Sequence, residues 1–240
     1  MSERFLRNEM FFGKDKNDKL KNIKVCVVGL GGVGSYAVES LARIGVEDFV
    51  IIDKDKVDIT NLNRQIIALE STLGKDKSEV VKQRVLDINP KAKVKAYSVF
   101  YNKDNSDIFL KEKVDYVIDA IDTISCKWEL IKVCLDNNIK FVSCMGMGNR
   151  EDLTKIGITS LDKTNYDPVA KKLRELVRKE DRSKDMKRIN VVFSSEIPKK
   201  QNKTLKEEGK TLKEMCPPSS IVFVPSVAGM LCAYYVYKSI

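Results

Sequence analysis

Apolar positions change their spacing three times before residue 53, and the changes predict a βαβ unit. Residues 23–28 form a nearly continuous apolar, β-rich run, as expected of a strand covered on both faces. The run meets Gly29-Leu30-Gly31-Gly32-Val33-Gly34, after which Val38, Leu41 and Ile44 fall at helical spacing across 35–44. Residues 49–52 make a second buried strand that ends at Asp53. Further on, 75–89 reads as a helix with Val80, Val81, Val85 and Ile88 inward, stopped by Pro90, whose missing N–H and fixed φ cannot continue it. Strand spacing returns at 94–99 and 114–118, Ser125 is expected to cap a helix to about Asp136, and 141–144 is another strand. Residues 155–161 alternate like a strand with one wet face.

Strands alternating with helices in this way predict an α/β fold, Rossmann-like and doubly wound around a mostly parallel sheet. A basic helical insertion interrupts it, because Asp167-Pro168 opens an amphipathic helix that runs through about Lys179. Residues 199–213 are polar and lysine-rich, the composition of a mobile loop. Residues 220–224 return to strand spacing and Pro225 starts a helix, which predicts a C-terminal strand-helix. A chain of 240 residues can bury one full α/β core. The expected organisation is therefore a single domain over 1–240: a nucleotide-binding core at about 20–160, a basic substrate-binding and flexible segment at about 161–215, and the strand and helix at 216–240.

Composition narrows the chemistry. The absence of histidine removes Ser-His-Asp and Cys-His activation and every imidazole-ligated metal. Six cysteines without a C-x-x-C pair, most within apolar runs, fit reduced core thiols in a cytoplasmic protein. Cys216, before Pro217-Pro218, is the cysteine beside an expected loop and the candidate should a thiol intermediate exist. Residues 1–12 are charged, so export is not expected, and the apolar run at 222–237 is too short to span a bilayer. A formal net charge of +9 favours a polyanionic partner.

The glycine loop at Gly29, Gly31, Gly32 and Gly34 lets backbone approach a phosphate, with a helix N-terminus aimed at it. These residues with Asp53 would serve an NAD site, the carboxylate accepting from ribose hydroxyls, as readily as any other nucleotide site. The chain beyond Asp53 departs from a dinucleotide enzyme. Asn61-Leu62-Asn63-Arg64-Gln65 makes a polar loop carrying a cation, and Lys77 starts the next helix. Two cations at a triphosphate can neutralise charge that develops during attack on the α-phosphate, a need hydride transfer lacks. At the carboxyl edge of the 114–118 strand stand Asp119 and Asp122, and one carboxylate beside phosphates suits Mg²⁺.

In that order, these elements resemble the adenylation site of the ThiF/MoeB superfamily. The resemblance implies that Gly32 and Asp53 contact ATP, that Arg64 and Lys77 meet its phosphates, and that Asp122 holds magnesium. Asn61, Asn63 and Gln65 belong to the same nucleotide-binding set. Arg7, in Arg4-Phe5-Leu6-Arg7-Asn8, looks like the family's arginine finger, supplied to the partner's ATP across a homodimer. Val117-Ile118-Asp119-Ala120-Ile121-Asp122, Met145-Gly146-Met147-Gly148-Asn149, Asp167-Pro168-Val169-Ala170-Lys171-Lys172-Leu173-Arg174 and Phe193-Ser194-Ser195-Glu196 are similar to the branch that dehydrates N6-threonylcarbamoyladenosine in tRNA. In that reaction the threonyl carboxylate is adenylated and the ring then closes with loss of AMP. Lys171, Lys172, Arg174 and Arg178 would then offer tRNA a phosphate-binding face, with Lys179, Lys184, Lys187 and Arg188 adding to it.

Two other functions share parts of this pattern. An adenylator of a sulfur-carrier protein's C-terminal glycine would use the same site, but the paired C-x-x-C zinc motif of several ubiquitin-like-protein activators is missing. An NAD(P)-dependent oxidoreductase or a nucleotide-sensing module would leave Arg64, Lys77 and Asp122 without a task. Whether a monovalent cation sits near the site, and whether a cysteine desulfurase or sulfur-acceptor protein binds, the residues leave open.

Overall fold

The computed structural model describes residues 3–200 and 218–240. Two short N-terminal helices, α1 (Leu6–Phe12) and α2 (Lys14–Asn22), precede strand β1 (Lys24–Val28). Then come α3 (Gly34–Ile44), β2 (Asp48–Ile52), α4 (Lys77–Ile88), β3 (Lys93–Tyr97), α5 (Ile108–Lys111) and β4 (Tyr116–Asp119). The chain continues through α6 (Ile124–Asp136), β5 (Lys140–Cys144), β6 (Ile156–Ser160), α7 (Pro168–Lys179), β7 (Asn190–Ser194) and α8 (Phe223–Lys238).

Seven strands form one sheet in the order β3-β2-β1-β4-β5-β7-β6, parallel except for the antiparallel β6–β7 pair at one edge. Because side chains alternate along a strand, each central strand feeds two cores. Val25 and Val27 of β1 with Phe49 and Ile51 of β2 meet α3, α4 and α8 on one face. Cys26, Val28, Val50 and Ile52 meet α5, α6 and α7 on the other. Coverage on both faces is why these strands read as nearly unbroken apolar runs.

The expected C-terminal strand does not form. Residues 218–222 have no strand pairing, and α8 already begins at Phe223 with Pro225 in its first turn, where the missing N–H costs nothing. Val224 is fully buried, so the apolar spacing that suggested a strand serves the helix and its contact with the sheet. Close packing of α8 on α3 needs Gly229: a Cβ there would stand 2.3 Å from the Val33 carbonyl oxygen. Ser125 does not cap α6 either; Thr123 occupies the cap position without a side-chain bond. Cys216 and most of the expected loop at 199–213 lie outside the described residues. The five described cysteines, Cys26, Cys126, Cys134, Cys144 and Cys232, are all buried and free. Among the described residues no helix is long and apolar enough to cross a membrane.

Candidate active site

From β1 the chain first builds outward through β2 and β3, then returns to place β4 on β1's other side. Loops leaving the carboxyl ends of β1 and β4 therefore diverge, and the crevice between them is where open α/β sheets bind ligands. A cavity of about 500 Å³ opens there. It is lined by Gly29, Gly31, Gly32, Asp53, Asn61, Arg64, Gln65, Lys77 and Asp122, nine of the residues singled out from the sequence.

The glycine loop is shaped by contact as much as by its ligand. Gly29 has φ +88°, and a Cβ on it would lie 2.6 Å from the Ala120 carbonyl oxygen. Gly34 does not line the cavity; a Cβ there would stand 1.8 Å from the Gly29 oxygen, so it closes the turn into α3. The Asp53 carboxylate accepts the Leu30 amide at 2.6 Å and the Asp55 amide at 2.8 Å, holding the loop to the end of β2. Burial nonetheless pushes its carboxyl above the usual range, against the pull of those amides and of Lys77.

Across the cavity from the end of β4, Asp58 and Asn61 cap one turn reciprocally, the Asn61 side chain accepting the Asp58 amide at 3.2 Å. That turn presents Arg64, whose guanidinium donates to the Thr60 carbonyl at 2.7 Å and to Asn63 Oδ1 at 2.8 Å. Lys77 is buried at the start of α4, its Nζ 3.3 Å from Asp55. Gln65 is buried too, and its Oε1 has no partner among the described residues, an acceptor left for whatever fills the cavity. Asn63 does not line the cavity; its side-chain amide donates to the Ser220 carbonyl at 2.8 Å and ties the loop to the segment before α8.

The two aspartates after β4 have different fates. Asp119 is fully buried, paired with Lys127 of α6 at 2.8 Å, and accepts from Ser143 Oγ at 2.5 Å and the Ile121 amide at 3.0 Å. Lys127 spends its other protons on Ser143 Oγ and the Cys144 carbonyl. Asp119 thus shapes the loop, whereas Asp122 is exposed in the cavity and, among the described residues, takes only the Thr123 hydroxyl, at 3.2 Å. Sequence reasoning missed Val99, Phe100 and Tyr101, which wall the cavity beyond β3, and Lys54, whose Nζ lies 4.7 Å over the Phe100 ring. Their position at a carboxyl strand end was the available signal.

Arg7 lies elsewhere. Its helix is moored where α3 and α4 finish, through Asn8 to the Arg43 carbonyl at 2.8 Å and Arg4 to that of Ile88, at the sheet edge opposite the cavity. Basic α7 is capped by Asp167, which accepts the Ala170 amide at 2.9 Å, and buries Leu173 and Val177. Lys171, Lys172 and Arg178 face solvent, but Arg174 turns back to the Thr164 carbonyl and hydroxyl and is half-buried.

Fold and cavity together define a nucleotide-binding protein with cations gathered along one side of the cavity, and the ThiF family model matches residues 5–240: the chain belongs to the ThiF family. More specifically, it is 44% identical to the tRNA threonylcarbamoyladenosine dehydratase of Bacillus subtilis over 98% of this chain and 94% of that protein. It is 41% identical to the Haemophilus influenzae enzyme of the same name over 76% of this chain and 71% of that one. The crystal structure of the Escherichia coli tRNA N6-threonylcarbamoyladenosine dehydratase in complex with ATP superposes with a TM-score of 0.88 at 34% identity, covering 99% of this chain and 93% of that one.

Proposed function

We propose that this chain is an ATP-dependent dehydratase that cyclises N6-threonylcarbamoyladenosine in tRNA. The observation that carries this reading is the cavity itself: a glycine loop, the cations Lys54, Arg64 and Lys77 and the lightly bonded Asp122 carboxylate converge there, with no cysteine or serine among its described lining residues. Such a site suits a substrate that brings its own carboxylate and its own internal nucleophile. An oxygen of the threonyl carboxylate attacks the α-phosphorus of ATP, the bond to the bridging oxygen breaks and pyrophosphate leaves. The carbamoyl group of the same nucleoside then attacks the acyl carbon, gives up a proton and expels AMP. The nucleoside loses the equivalent of one water.

Arg64 and Lys77 neutralise charge on the phosphates as the first transition state forms. Asp53 fixes the glycine loop and has lone pairs left for the ribose hydroxyls. Asp122 fits magnesium, since its exposed carboxylate is nearly free of protein bonds and Mg²⁺ favours one or two carboxylates with water and phosphate oxygens. When bound, the ion would supply further neutralisation of phosphate charge.

The 1–240 unit works as one cytoplasmic adenylation domain, its segment 161–215 serving the tRNA. Arg7, on the far edge of its own subunit, serves the cavity of a second copy. Leu6, Met10 and Phe11, exposed by 41%, 77% and 85%, support that docking.

The test is mass spectrometry of nucleosides from tRNA carrying N6-threonylcarbamoyladenosine, treated with protein, ATP and Mg²⁺ and digested mildly. A product lighter by one water, formed only with ATP, is expected, and Arg64→Ala should lower its rate by about 10²–10³-fold. Pyrophosphate exchange that depends instead on a glycine-ended carrier protein would reassign the substrate. Mixing Arg7→Ala with Arg64→Ala chains should restore part of the activity; no recovery under demonstrated subunit exchange removes the trans assignment.

A further inference from the structure

Tyr166 is 61% exposed, and its backbone stands in the left-handed region at φ 50°. That conformation is strained for a bulky side chain and persists only where the surroundings impose it. Here the surroundings are a buried guanidinium. Arg150, its side chain wholly enclosed, donates to the Tyr166 carbonyl at 3.2 Å and to the Asp167 carboxylate at 3.3 Å, and also holds the Ser194 and Glu196 carbonyls. One residue past Tyr166, Asp167 opens α7, so the exposed Lys171 and Lys172 come within a turn and a half.

On the other side of Arg150, Asn149 is also left-handed, at φ 60°, and its side chain accepts the Ser219 amide at 2.9 Å and hydroxyl at 2.8 Å. The neighbouring Ser220 carbonyl takes Asn63, which touches Arg64. A continuous run of contacts therefore joins the phosphate end of the cavity to Tyr166. The exposed ring makes no contribution to either core, yet the backbone beneath it is held at a cost.

We propose that Tyr166 is a stacking platform for an unpaired nucleobase of the tRNA loop that carries the modified adenosine. This rests on the assignment of tRNA as the substrate and adds to it the group that receives the base. Single-stranded loops are recognised by stacking splayed bases on aromatic rings while nearby cations hold their phosphates. Tyr166 supplies the first element and Lys171 with Lys172 the second, on the edge where the carboxylate must enter.

The experiment measures binding of the full-length protein to tRNA bearing N6-threonylcarbamoyladenosine by fluorescence anisotropy across a salt series. Tyr166→Gly removes the ring and also the strain, because glycine takes φ 50° freely, so its Tm should not fall. Its affinity should drop about 10- to 100-fold, with the KM for ATP unchanged. Tyr166→Phe should bind within about twofold of wild type, since the π-face is retained. The dependence of log Kd on log salt should keep its slope in Tyr166→Gly and flatten in the Lys171→Ala, Lys172→Ala double variant, which loses phosphate contacts. Wild-type affinity in Tyr166→Gly, or a loss accompanied by a flatter salt slope, overturns the platform alone. Failure of the wild-type protein to bind this tRNA overturns the tRNA assignment with it.

Discussion

Two ion pairs are fully buried among the described residues, one beneath each half of the site, and they are built differently. Under the nucleotide half, Lys127 and Asp119 form a closed set in which each ammonium proton has an oxygen within 3.3 Å and both carboxylate oxygens have donors. Under the half that carries Tyr166 and α7, Arg150 and Asp167 are equally enclosed, yet Arg150 Nε has no partner among the described residues. Burial there pushes the Asp167 carboxyl up and the Arg150 guanidinium down, so both groups resist their charges. Two left-handed residues without glycine's freedom, Asn149 and Tyr166, flank this second pair. The first pair holds a loop for a ligand of fixed shape. The second holds backbone against its own preference to present side chains outward.

The sharpest way to break the contrast is to remove one cation. Lys127→Met leaves the Asp119 carboxylate buried without its counter-charge, and urea unfolding should show a loss of about 3–5 kcal/mol. Adding Asp119→Asn should return much of that, because the cost lies in the stranded charge more than in the missing bond. A double variant no more stable than Lys127→Met would mean that packing around α6 dominates, and the closed pair would lose its special standing.

Legibility in the sequence divides along the same line. In the nucleotide half, β1, α3 and β2 were readable to within a residue or two because strands covered on both faces leave long apolar runs punctuated by glycine. Past β5 the pattern fails. Strand β7, with only Asn190–Ser194, was hidden in a basic stretch and exists because β5 and β6 flank it. Helix α1 buries none of its residues, so no apolar stripe announced it, and its place comes from Phe5 before it and from Asn8. The site residues were legible as types but not as partners. Asp119 and Asp122 look alike in one short motif, and Lys127, eight residues beyond the first, decides which stays free. Arg174 sits amid basic neighbours in sequence, while Thr164 takes it out of the exposed set. Spacing reports which face a side chain occupies; it does not report what meets it there.

A smaller effect is expected at the second pair. Arg150→Met strands Asp167, but that carboxylate keeps the amides of Gly146 and Ala170 and is already pushed toward its neutral form. With the guanidinium gone, Asp167 can therefore take a proton. The loss should be about 2 kcal/mol at pH 8, below that of Lys127→Met. The raised pKa of Asp167 sets the sign of the pH dependence. A carboxyl whose folded value lies above the unfolded one favours the fold at low pH and loses that contribution as pH rises through the folded value. The difference between Arg150→Met and wild type should therefore shrink between pH 8 and pH 5, read from urea midpoints at each pH. A difference that grows as pH falls would show that Asp167 stays charged and that the two pairs are not distinct in this respect.

The smallest effect is expected from a third carboxylate, near the surface, which sets a scale for the two buried ones. Glu112 accepts Lys95 Nζ at 2.6 Å and the Tyr97 hydroxyl at 2.6 Å. Lys95 first and Tyr97 next hold its carboxyl below the usual range, and the bond to Glu112 pushes the Tyr97 phenol up to about 12. The two shifts act at opposite ends of the pH scale. Glu112, depressed, contributes stability above the unfolded glutamate value of about 4.3 and loses it as pH falls through the folded value. Tyr97, raised, contributes below the unfolded tyrosine value of about 10 and loses its share as pH climbs toward 12. Glu112→Gln removes both, so its cost at neutral pH should be about 1 kcal/mol or less and should shrink as the pH drops below the unfolded glutamate value of about 4.3. The phenolate absorbance of Tyr97, isolated as the difference from Tyr97→Phe, should titrate nearer 10 in the variant than in wild type. An unmoved phenol midpoint would place the shift in burial of the ring, and the contrast between closed and open carboxylates would then rest on the two buried pairs alone.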